Sequence, residues 1–389
     1  MGTALSNWRL SCRHCGASLD AEPCYSGCPA CLRLGRLSML ELTRVRAPTD
    51  ARPGAGRGLD RYAHLLPIAD PEHWCSLGAG ATALVQLPAL GQTLGLSNLH
   101  VKVEAGNPTH SFKDRYAALT LNAARASGAR EIVVSSTGNL GVSAAAYAAA
   151  YRIGCTTVVP CDIPASIAAE LTALGSALED VPIAERFARF EAIAERPGCY
   201  PIGLFMNRKV QNPFGIEGYR TLAYELIENL GRAPEYVLFP CARGNGLYGC
   251  WKGFQDALEW GWTSAAPHMV GCQPALANSL EVSIASNAAR AVETAPAQSI
   301  ARSISETVTG DHAIGAVRRS HGAALSATEA EISGAQRLLG RHGINTEAAS
   351  ATTLACLAKL TRQRALRGDE TIVCILTGPG FRWPQAAPQ

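Results

Sequence analysis

The feature that most restricts the fold of this chain is the alternation of short β-branched runs with longer stretches rich in alanine and leucine. Short β-branched runs suit buried strands, whereas long stretches with apolar residues every three or four positions suit helices. Strands that alternate with helices form a parallel sheet, because each helix carries the chain back to the starting edge. The sequence therefore predicts an α/β fold with helices on both faces of a parallel sheet.

The predicted elements can be placed on the sequence. Strands are expected at residues 99–103, 130–136, 155–160, 236–240, 268–272 and 371–376. Helices are expected at residues 111–126, 141–151, 217–230, 246–260, 328–341 and 349–363. Thr328 and Glu331 have the spacing of a capping box, which predicts a helix start.

Charge and hydropathy exclude several classes of protein. The chain has 35 Lys and Arg against 32 Asp and Glu, so a net charge of +3 gives no reason to expect nucleic acid or an acidic membrane as partner. No apolar run is long enough to span a bilayer, and the first ten residues lack the hydrophobic stretch of a secretory signal. We therefore expect a cytoplasmic protein.

Four of the fourteen cysteines form two CxxC pairs near the start of the chain. The pairs are Cys12 with Cys15 and Cys28 with Cys31, and two such turns can aim four sulfurs at one point, the tetrahedral set that zinc favours. Four cysteines close the coordination sphere, so the pattern predicts a structural zinc site. Cys24 lies outside the pattern, and the other cysteines are scattered and expected to act as small hydrophobic residues.

Composition suggests where the chain divides. Residues 47–61 are rich in Pro, Gly and Arg, which is typical of a linker. The expected segments are a zinc ribbon at 1–45, a linker and N-terminal arm at 46–98, a lysine-bearing α/β domain at 99–205 and a C-terminal α/β domain at 206–389.

The stretch NPTHSFKDR, residues 107–115, contains the first candidate for chemistry. Lys113 follows a Pro-Thr turn and is itself followed by Asp114 and Arg115. One interpretation is an ordinary helix start, with Asp114 facing the positive end of the helix dipole. The other is that Lys113 is a nucleophile that forms a Schiff base.

Three unusual turns follow predicted strands, where ligands bind in parallel sheets. The turn at 135–141, SSTGNLG, can surround a carboxylate with donors from Ser136, Thr137 and Asn139, or it can simply cap a helix. The turn at 377–380 places the Thr377 hydroxyl at the end of a buried strand, where an ordinary turn is an equally good explanation.

The turn at 241–249 contains Gly244, Gly246 and Gly249 in a GxGxxG pattern between a strand and a helix. This pattern also occurs in dinucleotide-binding dehydrogenases, but the next strand ends near Gln273 rather than at the acid that binds a ribose. Glycines and a helix start favour a bound phosphate, and a structural tight turn is the alternative.

A candidate lysine, a phosphate loop, a carboxylate-binding turn and a terminal hydroxyl match the needs of pyridoxal phosphate and an amino-acid substrate. From Tyr62 to Pro384 the sequence resembles the second fold type of pyridoxal-phosphate enzymes, and within it the threonine synthase family. The motifs that carry the resemblance are RYAHLLP, LGAGATAL, LHVKVEAGNPTHSFKDR, SSTGNLGVSAAAYAA, NPFGIEGYRT, the glycine loop, EAASA and LTGPGFRWP. The resemblance implies two open, twisted parallel-sheet domains, an N-terminal metal-binding segment and a homodimer.

The resemblance also implies roles for individual residues. Lys113 would form the Schiff base with the cofactor and move protons on the substrate, and Asn139 would hydrogen-bond the ring 3-hydroxyl. Thr377 would face the pyridine nitrogen, and a neutral hydroxyl does not enforce a protonated ring. The cofactor phosphate would be held by the loop Arg243, Gly244, Asn245, Gly246 and Leu247. Substrate-binding candidates are Ser136, Thr137, Gly138, His110 and Ser111.

Some positions depart from the family pattern. The family's NPTG is NPTH here, so His110 is a substrate contact, an extra acid or base, or a packed replacement. Phe214, Gly215 and Ile216 stand where a cation usually grips the substrate phosphate, whereas Arg243 adds a cation to the glycine loop.

The function expected from the resemblance is that of a threonine synthase or a close homologue. Such an enzyme eliminates phosphate from O-phosphohomoserine and adds water or another nucleophile. The alternative enzyme is a β-replacement synthase or deaminating lyase acting on serine, threonine or O-phosphoserine. A scaffold without catalysis is the non-enzymatic alternative, and the presence of Lys113, Asn139 and Thr377 argues against it.

Overall fold

The computed structural model describes residues 4–136, 138–205, 210–363 and 366–382. The chain divides into two compact units. The first contains Met1–Gly80, Asn107–Thr109 and Lys113–Gly218, and the second contains Ala81–Gly106, His110–Phe112 and Tyr219–Gln389.

The strands and helices are numbered in chain order. The strands are β1 (Trp8–Cys12), β2 (Ser18–Asp20), β3 (Leu40–Arg44), β4 (Ala83–Gln86), β5 (Asn98–Val103), β6 (Glu131–Ser135), β7 (Gly154–Pro160), β8 (Ala177–Val181), β9 (Cys199–Ile202), β10 (Leu204–Phe205), β11 (Val210–Gln211), β12 (Tyr236–Pro240), β13 (His268–Pro274), β14 (Ala323–Ala327) and β15 (Thr371–Leu376). The helices are α1 (Pro29–Leu32), α2 (Pro88–Thr93), α3 (Lys113–Ala126), α4 (Asn139–Tyr151), α5 (Ala165–Ala173), α6 (Arg186–Ala194), α7 (Pro213–Gly218), α8 (Arg220–Leu230), α9 (Asn245–Glu259), α10 (Ser279–Ala285), α11 (Asp311–Arg319), α12 (Glu329–Arg341) and α13 (Ala348–Gln363).

The first unit contains a small antiparallel sheet and a larger parallel one. The small sheet has the order β2-β1-β3, and the parallel sheet has the order β8-β7-β6-β9. Val133 of β6 and Val158 of β7 are fully buried and pack with Phe190 and Ile193 of α6. These branched and aromatic side chains fill the space between strands and helix.

The second unit is built on the sheet β14-β13-β12-β15-β5-β4. Its strands are parallel except β4, which pairs antiparallel with β5. Strands β12 and β15 are buried along their whole length, as expected for central strands with helices on both faces. Leu238, Ile372 and Leu376 form part of a core shared with α12 and α13.

The predicted α/β class is confirmed, and both larger sheets are parallel apart from β4. Strands β12 and β15 have the predicted bounds, and Thr328 forms the predicted capping box with Glu331. The predicted helix 217–230 is instead interrupted at Tyr219, between α7 and α8. The predicted helix 111–126 begins at Lys113.

The predicted domain boundaries differ from the division in the structure. Strand β5, expected to open the lysine-bearing domain, belongs to the second unit because it pairs with β15 from Asn98 to Val103. The four-cysteine segment belongs to the first unit. Within the described ranges, none of the helices combines the length and the apolar character needed to cross a bilayer.

Candidate functional site

The four predicted metal ligands converge in the first unit. The Sγ atoms of Cys12 and Cys31 are 3.7 Å apart, as are those of Cys15 and Cys28, and all four lie within 4.8 Å of one another. A zinc–sulfur bond of about 2.3 Å in a tetrahedron requires sulfurs about 3.8 Å apart. The donor set and its spacing therefore fit a structural zinc ion.

Secondary structure fixes these sulfurs in place. Cys12 ends β1, Cys28 precedes α1, and Cys31 lies within α1. The segment also has apolar contacts: Trp8 and Leu42 are buried, and β3 contacts α7 of the same unit. The ribbon is thus packed onto the first unit rather than held by its cysteines alone.

Lys113 is the first residue of α3, and the carboxylate beside it anchors that helix start. Asp114 accepts hydrogen bonds from the Thr109 backbone N at 2.7 Å and from the Thr109 Oγ1 at 2.5 Å. It also accepts one from Ser143 Oγ of α4 at 2.5 Å. Asp114 and Thr109 are buried, so these bonds hold the start of α3 against α4 with little competition from water. Both the helix-start interpretation and the nucleophile interpretation of Lys113 are compatible with this position.

Asn139 is the first residue of α4 and is buried. It follows the predicted carboxylate-binding turn, in which Gly138 precedes the helix and its backbone N lies 3.4 Å from Ser136 Oγ. Thr137, the remaining candidate in this turn, lies outside the described residues. The helix start leaves backbone N–H groups of the first turn oriented for an anion.

His110 and Ser111 lie in the second unit, and Ser111 is fully buried. His110 has a φ of 62°, the left-handed region where the family pattern has glycine. Its ring is exposed and lies edge-on to Phe381, with ring centroids 5.5 Å apart. Phe112, two residues after His110, donates its backbone N–H to the Thr377 carbonyl at 3.0 Å.

The glycine loop leads into α9, a helix of 15 residues. Gly244 has a φ of 79°, and a Cβ there would come within 2.3 Å of Ala313, so only glycine fits. A Cβ on Gly246 would meet the Phe239 ring at 2.5 Å, which gives this glycine a packing reason as well. The residues Asn245, Gly246 and Leu247 open the helix, and helix geometry leaves their N–H groups without intrahelical partners. This is a backbone cradle that fits a phosphate.

Sequence reasoning missed a second element beside this loop. His312, in the first turn of α11, contacts Asn245 Oδ1 through its Nε2 at 2.9 Å. Gly310 donates its N–H to the Arg243 carbonyl at 3.1 Å, and Arg243 Nε lies 3.9 Å from Glu306 Oε2. No local pattern in the sequence marks the segment at 306–312 as a neighbour of a loop more than 60 residues earlier.

The alternative of a dinucleotide site is not supported by the second unit. At the end of β13, Gln273 donates to the Cys241 carbonyl at 3.2 Å and accepts from the Leu280 backbone N at 2.7 Å. Gln273 is buried, and both the nitrogen and the oxygen of its side-chain amide form hydrogen bonds within the protein. The position expected for a ribose-binding acid therefore has a structural role.

Thr377 follows β15 and is buried, as predicted for a terminal hydroxyl. Its Oγ1 is 3.1 Å from Glu347 Oε1 and 3.1 Å from Ser350 Oγ. Ser350 Oγ in turn accepts from the backbone N of Thr377 at 2.8 Å. The motif EAASA contains Glu347 and Ser350, but no local pattern predicts that they contact Thr377.

Arg220 and residues 214–216 of α7 make structural contacts within the protein. Arg220 is buried and bonds Asp256, which also accepts from Tyr224 Oη at 2.5 Å, so this guanidinium joins α8 to α9. Phe214 and Ile216 of α7 are buried, and a Cβ on Gly215 would clash with Tyr116 at 2.3 Å. This helix therefore packs tightly against α3 of the first unit.

Comparisons with known proteins agree with this arrangement. The model of the family "Pyridoxal-phosphate dependent enzyme" matches residues 75–378. The threonine synthase of Methanocaldococcus jannaschii is 29% identical over 391 residues, which cover 97% of this chain and 93% of that protein. The threonine synthase of a Synechocystis species is 31% identical over 86% of this chain and 85% of that protein.

Solved structures agree on the fold. The processed form of threonine deaminase isoform 2 from Solanum lycopersicum aligns with a TM-score of 0.68 at 19% identity, over 86% of this chain and 95% of that chain. Maize serine racemase aligns with a TM-score of 0.67 at 19% identity, over 77% of this chain and 88% of that chain. The family model spans most of the chain and relatives match it nearly end to end, so this chain belongs to the pyridoxal-phosphate-dependent enzymes.

Proposed function

We propose that this chain is a threonine synthase, which eliminates phosphate from O-phosphohomoserine and adds water at the substrate carbon. The observation that carries the proposal is the similarity to threonine synthases along nearly the whole chain. Two features of the structure support the proposal. Asp114 fixes the start of α3, where Lys113 would hold the cofactor. The backbone N–H groups at the start of α9 fit the cofactor's phosphate group.

Bound pyridoxal phosphate would supply an electron sink for negative charge on the substrate carbons. In the proposed site Lys113 holds the cofactor and moves protons to and from the substrate carbons. Asn139 donates its amide to the ring 3-hydroxyl, and Thr377 faces the ring nitrogen. The loop at 243–247 holds the phosphate through backbone N–H groups, and Arg243 adds a positive charge there.

The turn before α4 is proposed to bind the substrate carboxylate. Ser136, Thr137 and Gly138 would donate hydroxyl and backbone hydrogens to its two oxygens. His110 and Ser111 are proposed as further substrate contacts. The strained backbone of His110 supports this role, because such strain is often retained where a side chain is needed for function.

The test offers the purified protein, loaded with pyridoxal phosphate, O-phosphohomoserine and O-phosphoserine in separate reactions. Phosphate release together with threonine from the first substrate is the expected result. Borohydride reduction followed by peptide mapping should tag Lys113, whereas Lys113→Ala should lose the visible cofactor band and the activity. Lys359→Ala is the matched control, because Lys359 lies in α13 and pairs with Glu331.

A second candidate function rests on α7. The residues where a cation would grip the substrate phosphate are apolar and buried, namely Phe214 and Ile216. This observation favours a β-replacement or deaminating reaction on serine, threonine or O-phosphoserine. Ammonia or a replaced product from these substrates, with no threonine from O-phosphohomoserine, would establish this candidate and reject the first.

Zinc, compartment and assembly are further proposals. We propose that the four ribbon cysteines bind one structural zinc ion, supported by their sulfur spacing. Thiolate ligands must stay reduced, which supports a cytoplasmic location. The resemblance to threonine synthases supports a homodimer. Metal analysis, cell fractionation and sedimentation would test these three points in turn.

A further inference from the structure

The hydroxyl of Thr377 belongs to a buried network in the second unit. Thr377 and Glu347 are each 3% exposed, and Ser350 is fully buried. Thr377 Oγ1 lies 3.1 Å from Glu347 Oε1 and 3.1 Å from Ser350 Oγ. The three side chains come from the end of β15 and the start of α13, so the fold rather than the local sequence brings them together.

The hydrogen positions in this network follow from counting donors and acceptors. With Glu347 ionised, its carboxylate can only accept, so Thr377 donates its one hydroxyl hydrogen to Glu347. Ser350 Oγ accepts from the backbone N of Thr377 at 2.8 Å and of Gly378 at 3.3 Å, so both of its lone pairs are used. Its own hydrogen therefore goes to Thr377 Oγ1. The Thr377 hydroxyl is left with one lone pair and no hydrogen to give.

We propose that Glu347 is a positioning residue that makes Thr377 a hydrogen-bond acceptor toward the ring nitrogen of pyridoxal phosphate and so keeps that nitrogen protonated. The inference rests on the proposed function, in which Thr377 faces the ring nitrogen. It reverses the expectation that follows from the resemblance, in which Thr377 is a neutral hydroxyl that does not enforce a protonated ring. The acceptor direction and the nearby carboxylate both favour the protonated ring.

The direction of the hydrogen bond between Thr377 and the ring nitrogen has a chemical consequence for the reaction. A protonated ring withdraws electrons more strongly than a neutral one, so it better stabilises negative charge on the substrate carbons. The buried setting strengthens the hydrogen bonds of this network, because little water competes for them. Glu347 would act through Thr377, with which it is in contact, rather than by touching the substrate.

The test uses the holoenzyme loaded with pyridoxal phosphate that is ¹⁵N-labelled at the ring. Protonated and neutral ring nitrogens have well-separated ¹⁵N shifts, so NMR reports the proton directly. The wild-type protein should show the protonated shift. Glu347→Gln should move the resonance to the neutral region, because an amide lacks the charge and can donate to Thr377 Oγ1, which frees the threonine hydrogen for the ring.

Two further variants distinguish a change in the direction of the Thr377 hydrogen bond from a general loss of stability. Glu347→Asp keeps the charge and should restore the protonated shift. Thr377→Val removes the acceptor and should give the neutral shift even if Glu347→Gln fails to fold. The matched control is Glu281→Gln, because Glu281 accepts from Ser326 Oγ at 2.5 Å in a similar carboxylate–hydroxyl pair at the end of β14.

The outcomes are distinct. A neutral shift in the wild-type protein, or a protonated shift that persists in both Glu347→Gln and Thr377→Val, overturns the inference while leaving the proposed function intact. A shift to the neutral region in Glu281→Gln as well would also overturn it, since the effect would then be non-specific. A wild-type protein that binds no cofactor, with no visible band and no borohydride-tagged Lys113, rejects the proposed function itself.

Discussion

The chain contains two groups of four cysteines that differ in how the backbone brings them together. In the ribbon, Cys12, Cys15, Cys28 and Cys31 bring their sulfurs within 4.8 Å of one another. In the second unit, four other cysteines are fully buried in the strands, just after a strand or in α13, namely Cys241, Cys272, Cys356 and Cys374. The first group has the spacing of two tight turns, whereas the second comes from four separate elements.

The comparison shows that a cysteine's role follows from the backbone that carries it. Tight turns aim the ribbon sulfurs at a common point, so they can share a metal ion. In the second unit, burial raises the pKa of the Cys241 and Cys374 thiols to about 12. Such thiols stay protonated near neutral pH, and without three further sulfurs aimed at the same point they act as small hydrophobic side chains.

The largest expected effect is the loss of zinc from the ribbon. Replacing both Cys28 and Cys31 by serine should abolish stoichiometric zinc, because two of four ligands are lost. Structural zinc sites contribute on the order of 10 kcal/mol to folding in isolated zinc-finger peptides, and the packing of this ribbon against its unit should reduce the effect here. Metal analysis and hydrogen exchange of residues 8–44 would measure it, and a variant with full zinc content would refute the ligand assignment.

A smaller effect on the free energy of unfolding is expected for a cysteine in the core of the second unit. Cys374→Ala should lower the free energy of unfolding by about 1–3 kcal/mol, because it leaves a cavity between strands. Zinc content should not change. Urea denaturation and metal analysis of the same sample would check both points, with Cys272→Ala as a companion variant. A drop in zinc would mean that the two groups are not independent.

The buried thiols should also make stability depend on alkaline pH. Their pKa in the folded state is above the unfolded value of 9.0, so their contribution is fully present below pH 9.0 and is lost as pH rises toward about 12. The unfolding midpoint in urea should fall over this range, and less steeply in Cys374→Ala. Equal slopes in the two proteins would contradict the assignment to this thiol.

The smallest effect is expected at Cys24, which lies in the ribbon but outside the CxxC pairs. Its backbone oxygen accepts from Tyr200 Oη at 3.3 Å, and this bond does not need the cysteine side chain. Cys24→Ala should therefore change the free energy of unfolding by less than about 0.5 kcal/mol and leave zinc bound. Loss of zinc in this variant would show that Cys24 takes part in metal binding.

The fold was predictable where the signal is local. Strands β12 and β15 were found with their bounds because they are continuous apolar runs flanked by turns. Strand β14, AALSA, was missed because alanine and leucine favour helices, and only pairing with β13 makes it a strand. Strand β8, ALEDV, was missed because it is a polar edge strand.

The candidate site follows the same rule. The cysteine pairs are recognised from spacing, and their convergence was confirmed. Lys113 and Asn139 were marked by the turns around them, and both open a helix. The contact between Thr377 and Glu347 joins residues 30 positions apart, so tertiary packing alone reveals it.

The position of β15 in its sheet has a consequence for synthesis on the ribosome. This strand lies between β12 and β5, and its partner Asn98 precedes Thr371 by more than 270 residues of translation. Strand β5 therefore leaves the exit tunnel long before its neighbour exists, and the nascent sheet stays open along its middle. Chaperones that shield unpaired strand edges should matter most in this interval.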